Sequence, residues 1–141
     1  MSKVINIAEV SAQTISLDEA KSMVLFHKGE SYEFFDEGCS RYTYANKQCT
    51  KVIKIEKNNL QHFNNLEYEI YQNASEEVKL QMTETFLVNG YIEQEFVMPI
   101  KFAGKKLTIP ERLFANSCRG EVGWTTDGRL LCFDLDEYKK Y

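Results

Sequence analysis

Between Glu30 and Lys57 the chain reads ESYEFF, DEG, SRYTYA, NKQ and TKVIKIEK in succession. Three segments rich in β-branched and aromatic residues are separated by short polar turns. That pattern predicts an antiparallel meander of about three strands, and it commits the middle of the chain to a sheet. In the last segment Val52, Ile53 and Ile55 are set against Lys54 and Glu56. One face of that strand is therefore expected to be buried and the other wet.

The flanks mix strand and helix signals. KVINIAEV at the N-terminus is short and β-branched, a strand. Ser16 and Glu19 have capping-box spacing, and Leu17, Ala20, Val24 and His27 recur at helical intervals before Gly29. This predicts a helix over 17–28. Leu60, Phe63, Leu66 and Ile70 mark a second helix, with Asn58 or Asn59 as its cap. Asn73 and Glu76 open a third, in which Val78, Met82 and Phe86 form a stripe that Asn89-Gly90 ends. YIEQEFVM then reads as a strand up to Pro99, and IKFAGKKLTI as a hairpin about Gly104-Lys105. Thr108, Pro110 and Glu111 signal a fourth helix that stops at Gly120.

Near the C-terminus, Asp127-Gly128 sits between two apolar runs, the strongest short-range hairpin signal. A two-residue loop there pairs Leu131 with Trp124 and Phe133 with Val122. It gives Val122, Trp124, Leu131, Phe133 and Leu135 one apolar face. The expected whole is a single α+β domain spanning 1–141: a central antiparallel meander and a C-terminal hairpin, packed with about four helices.

The chain has 141 residues, 43% hydrophobic and 13% aromatic, enough for one ordinary core. Its net charge is −4 and it has no basic block, which disfavours capture of duplex nucleic acid. No apolar run approaches the roughly twenty residues that span a bilayer, and the first ten residues lack the apolar core of a secretory signal. The expectation is a cytoplasmic protein without membrane contact, in which Cys39, Cys49, Cys118 and Cys132 are reduced thiols. The sequence has no phosphate-binding glycine loop, no H-E-x-x-H and no G-x-S-x-G, and no cofactor is expected.

Four groups of residues are candidates for chemistry. In the two-residue-loop register Asp134 lies opposite Glu121, with Asp136 and Glu137 close by; opposed like charges cost stability unless a cation such as Mg²⁺ or Ca²⁺ joins them. Glu121, Asp134 and Asp136 are the metal candidates, although solvated carboxylates are the commoner outcome. The cysteines lack the close spacing of a zinc knuckle, and buried cysteine is usually a small hydrophobe. His27 and His62 are the only histidines available to a Cys/His nucleophile. The last group is Arg41, Tyr42, Tyr44, Arg119, Trp124 and Arg129. Aromatic faces beside arginine stack a base and fork a phosphate. The competing expectation is that Tyr42 and Tyr44 are cross-strand core pairs and the arginines are solvated.

These features favour a non-enzymatic binding protein that occupies a partner's surface, with a second copy of the chain as a further partner. A compact, motif-free domain with an N-terminal helix–Gly–strand unit has the look of many phage or prophage accessory proteins. An inhibitor that blocks or sequesters a host factor is the role this implies. The alternatives are a sponge-like binder of a small anionic nucleotide and a small hydrolase using Cys/His or carboxylates.

Overall fold

The computed structural model describes residues 3–7, 14–58, 62–88, 90–118 and 121–133. In chain order these form β1 (Lys3–Asn6), α1 (Leu17–Ser22), β2 (Met23–His27), β3 (Glu30–Glu37), β4 (Arg41–Asn46), β5 (Lys51–Glu56), α2 (Phe63–Asn73) and α3 (Glu76–Lys79). Then follow β6 (Thr85–Val88), β7 (Tyr91–Glu95), β8 (Met98–Pro99), α4 (Ile100–Ala103), α5 (Ile109–Ser117), β9 (Glu121–Trp124) and β10 (Leu130–Phe133). Seven strands make one sheet in the order β1-β2-β3-β4-β5-β7-β6, and β10-β9-β8 make a second. Only β1 and β2 pair in parallel among the named strands. The class is α+β, with five helices among the described residues. None of these helices is long and apolar enough to cross a membrane.

The meander forms as expected, as β3, β4 and β5. One sheet face carries Leu25, Tyr32, Tyr42, Tyr44, Ile53 and Ile55, all buried with Ala20 of α1. Tyr44 donates to the Ala20 carbonyl at 2.6 Å and Tyr42 to the Ile15 carbonyl at 2.8 Å, so both phenols anchor the segment that crosses this face. The sheet curls around it. His27 of β2 and Glu93 of β7 meet at 3.1 Å although three strands separate them in the sheet.

The opposite face is where sequence reading and structure part. Pairing sets Thr43 opposite Lys54 and Lys54 opposite Ile92, and it sets Val52 opposite Gln94 and Gln94 opposite Thr85. Lys54 was expected on a wet face, yet it is buried, because α2 lies over it. The helix presents Asn64 and Glu67 as its only buried residues, while Leu66, expected on its apolar stripe, is exposed. The N-cap of α2 is His62, which makes no side-chain cap bond, where Asn58 or Asn59 was expected; Asn59 lies outside the described residues. The Glu56 carboxylate of β5 accepts from Phe63 N and Asn64 N instead.

Three predicted elements are corrected. The first helix stops at Ser22: Met23, Leu25 and His27 alternate inward as β2, and Lys28-Gly29, at φ 50° and 79°, turn the chain into β3. The third helix is one turn only, capped by Ser75, and Thr85–Val88 become a strand. Val88 pairs with Tyr91 and Gly90 has φ 85°, so the chain reverses between two strands where a helix end was expected; Asn89 lies outside the described residues. IKFA forms α4, closed by Gly104 at φ 66°, where a hairpin was expected. The fourth helix holds: Thr108 and Glu111 make a full capping box.

The C-terminal hairpin forms one residue out of the predicted register. Leu130 pairs with Trp124 and Cys132 with Val122. A two-residue type I′ loop needs positive φ at both central positions, but only Gly128 of the pair has it, at 88°. The chain instead closes a turn from Thr125 to Gly128, with Thr125 Oγ1 bonded to Asp127 and accepting from Arg129 N. Val122 and Cys132 thus face the core shared by Phe114 and Ile70. Cys132 is joined to Cys118 by a disulfide, which corrects the expectation of four free thiols. Gly123 is pressed against β8: a Cβ there would lie 2.4 Å from the Met98 carbonyl.

Candidate functional site

A cleft opens between the two sheets, on the face opposite the tyrosine core. The β3–β4 hairpin supplies one wall. Phe34 pairs with Tyr44 but Asp36 pairs with Thr43, so Phe35 is the extra residue of a bulge. Strict alternation would turn Phe35 and Asp36 to opposite faces; the bulge brings both to the cleft. Gly38 N closes the hairpin on the Arg41 carbonyl at 2.9 Å, which sets Cys39 and Ser40 at the mouth.

The floor comes from three adjacent strands: Arg41 and Thr43 of β4, Val52 and Lys54 of β5, and Gln94 of β7. Val97 and Pro99 of the crossing segment, with Glu121 and Phe133 of the second sheet, form the far wall. The open space is about 90 Å³, room for several waters or one compact polar group.

The charges are ordered by depth. Arg41 is 5% exposed and Lys54 3%, and both bond to Glu67 of α2, which is 0% exposed. Lys54 Nζ reaches the two Glu67 oxygens at 3.2 and 3.1 Å, and Arg41 Nη1 and Gln94 Nε2 donate to the same carboxylate. Burial alone pushes the Glu67 pKa up. The Lys54 and Arg41 charges and the Arg41 and Gln94 hydrogen bonds outweigh it, and hold the group at about 2. At the rim, acids are matched by cations: Asp36 with Lys101 at 3.3 Å, Glu37 with Lys57 at 2.7 Å, and Glu95 with Arg129 at 2.6 Å. The cleft thus has a cationic floor, an ion-paired rim and an apolar flank of Phe35, Val52, Val97 and Phe133.

The residues singled out from sequence are dispersed. Arg41 lies in the floor, but Tyr42 and Tyr44 are sealed in the core on the other face and cannot share a ligand with it. Burial raises both phenol pKa values. Arg129 stands at the rim through Glu95. Trp124 is half-buried under Lys105, 4.8 Å above its ring, and Arg119 lies outside the described residues. For the metal candidates, the one-residue shift sets Phe133 opposite Glu121, where Asp134 was expected. Asp134 and Asp136 lie outside the described residues. Among the described residues no three His, Cys, Asp or Glu side chains gather as a metal site. The Cys118–Cys132 bond rules out a site made by all four thiolates, leaving Cys39 exposed and Cys49 half-buried. His27 pairs with Glu93 across the tyrosine core, and His62 is exposed at the start of α2.

Sequence reading missed Lys54, Glu67 and Gln94. Their only signal was local: a lysine between two isoleucines in a strand, and a glutamate between Leu66 and Tyr68 in a helix. Either is ordinary alone; only the packing of α2 on β5 makes them one cluster. Compared with known proteins, the chain matches no family, no curated sequence and no solved structure.

Proposed function

We propose that this is a binding protein whose cleft takes a compact anionic group, a carboxylate or phosphate, carried by a small ligand. The observation behind the reading is the pair Arg41 and Lys54, desolvated yet lining an open cleft. A guanidinium offers a planar fork of donors to such a group, and the ammonium adds a point charge. Both act more strongly in a desolvated floor than they would in water. Gln94 and Thr43 add hydrogen-bonding groups, and Phe35 and Phe133 offer apolar contact to the ligand's body. Retaining the ligand without chemistry would be sequestration, the sponge-like role.

Native mass spectrometry of the protein from its expression host, before and after denaturation, tests this. The expected result is an added small mass that leaves on denaturation and is absent from Lys54→Met. A bare mass in the wild type, with no binding of added carboxylates or phosphates, contradicts it.

A second reading keeps the protein-blocking role. Ile109 and Leu113, one turn apart on α5, are 71% and 66% exposed, and Phe102 of α4 is 54% exposed. Large apolar anchors of this kind suit a protein partner. Inhibition of a host factor in the manner of a phage accessory protein is the role this surface would serve. Loss of partner capture in Ile109→Asp/Leu113→Asp, with the cleft variant still capturing, would favour it.

A further inference from the structure

Arg41 from β4, Lys54 from β5 and Gln94 from β7 each line the cleft, and each also donates to Glu67 from behind it. Glu67 itself does not line the cleft. The same three side chains therefore have the cleft on one side and helix α2 on the other.

This contact is one of the two that dock α2; the other is apolar, where Ile70 and Tyr71 pack half-buried against the second core. The two buried residues of the helix, Asn64 and Glu67, are both polar. Asn64 Nδ2 donates to the Lys54 carbonyl at 3.1 Å and the Gly90 carbonyl at 3.0 Å. An eleven-residue helix is marginal on its own and needs such anchors to stay formed.

Resting on the anion reading above, we propose that Glu67 is an internal competitor for the cleft's ligand, so that α2 responds to whether the cleft is filled. An anion at the floor draws on the guanidinium and ammonium that hold Glu67. Two anions sharing those cations repel each other, and each weakens the other's hold. By linkage the effect is reciprocal: the ligand loosens α2, and whatever loosens α2 tightens the ligand. A filled cleft would thus be reported on the outer side of α2, which meets solvent through Asn65, Leu66 and Glu69.

The test uses inorganic phosphate as the probe, on the full chain. Hydrogen–deuterium exchange is followed over 63–73 with and without saturating phosphate, and phosphate affinity is measured for wild type and Glu67→Gln. The proposal expects exchange in α2 to quicken severalfold on binding while β4 and β5 hold. It also expects Glu67→Gln to bind phosphate about tenfold more tightly, within the usual range of coupling between sites. Phosphate that binds wild type but slows α2 exchange, or leaves it unchanged, overturns the proposal and leaves the anion reading standing. So does a Glu67→Gln variant that folds and binds no more tightly. Failure of both proteins to bind phosphate overturns the two together. If Glu67→Gln does not fold, the wild-type exchange result decides alone.

Discussion

Glu67 is a carboxylate without access to water, and it stays ionised because Lys54 and Arg41 surround it. Its folded pKa of about 2 lies below the unperturbed 4.5, so the unfolded chain binds the proton first as pH falls. The stability it contributes is therefore fully present above pH 4.5 and drains away towards pH 2. The shift corresponds to on the order of 3 kcal/mol. Urea midpoints measured from pH 6 to 2 should fall less steeply through that window in Glu67→Gln than in wild type; parallel curves would contradict the assignment. At neutral pH the same substitution leaves buried cations undercompensated and should cost about 3 to 5 kcal/mol. Tyr44 acts more locally. Tyr44→Phe removes one of two donors to the buried Ala20 carbonyl, which keeps the Met23 N–H, and should cost roughly 0.5 to 1.5 kcal/mol, read from the shift in urea midpoint.

At the level of elements, glycines separate two kinds of constraint. Gly29 has φ 79° with open space around its absent Cβ, so Gly29→Ala meets backbone strain alone and should cost about 1 to 2 kcal/mol. Gly123 has no room, since β8 passes where a Cβ would sit. Gly123→Ala should force β9 from β8 and cost roughly 1 to 3 kcal/mol or more by thermal unfolding. Because Val97 and Pro99 wall the cleft, it should also weaken ligand binding, which Gly29→Ala should leave intact. Turns likewise explain which elements were legible. The meander was readable because each of its strands is β-rich and each break polar. The Met23–His27 and Thr85–Val88 strands were not, since their apolar residues also fit helical spacing; sheet pairing with β1 and β7 decided them. Asp127-Gly128 advertised a hairpin correctly but not its length, because the Thr125 and Asp127 side chains stabilise a longer loop.

Across the whole molecule, the second sheet is fastened by few strands and by one covalent link. Cys118 and Cys132 close a loop fourteen residues apart between the end of α5 and β10. Such a link contributes about 3 kcal/mol, so Cys118→Ala/Cys132→Ala should melt roughly 6 to 12 °C lower. Of the cleft's lining, Arg41 and Glu121 were singled out from sequence, and Arg129 reaches the rim through Glu95, but the other lining groups come from segments as distant as Phe35 and Phe133. No local pattern records that meeting: it arises from a bulge in β3, the burial of α2 and the packing of one sheet on another. The central claim is that this meeting place holds an anion. Amide chemical shifts followed during a phosphate titration test it most directly. Saturable shifts concentrated in 38–43, 52–54 and 94–97, and abolished by Lys54→Met, are the predicted result. Shifts that are absent, unsaturable or scattered over the surface would contradict it.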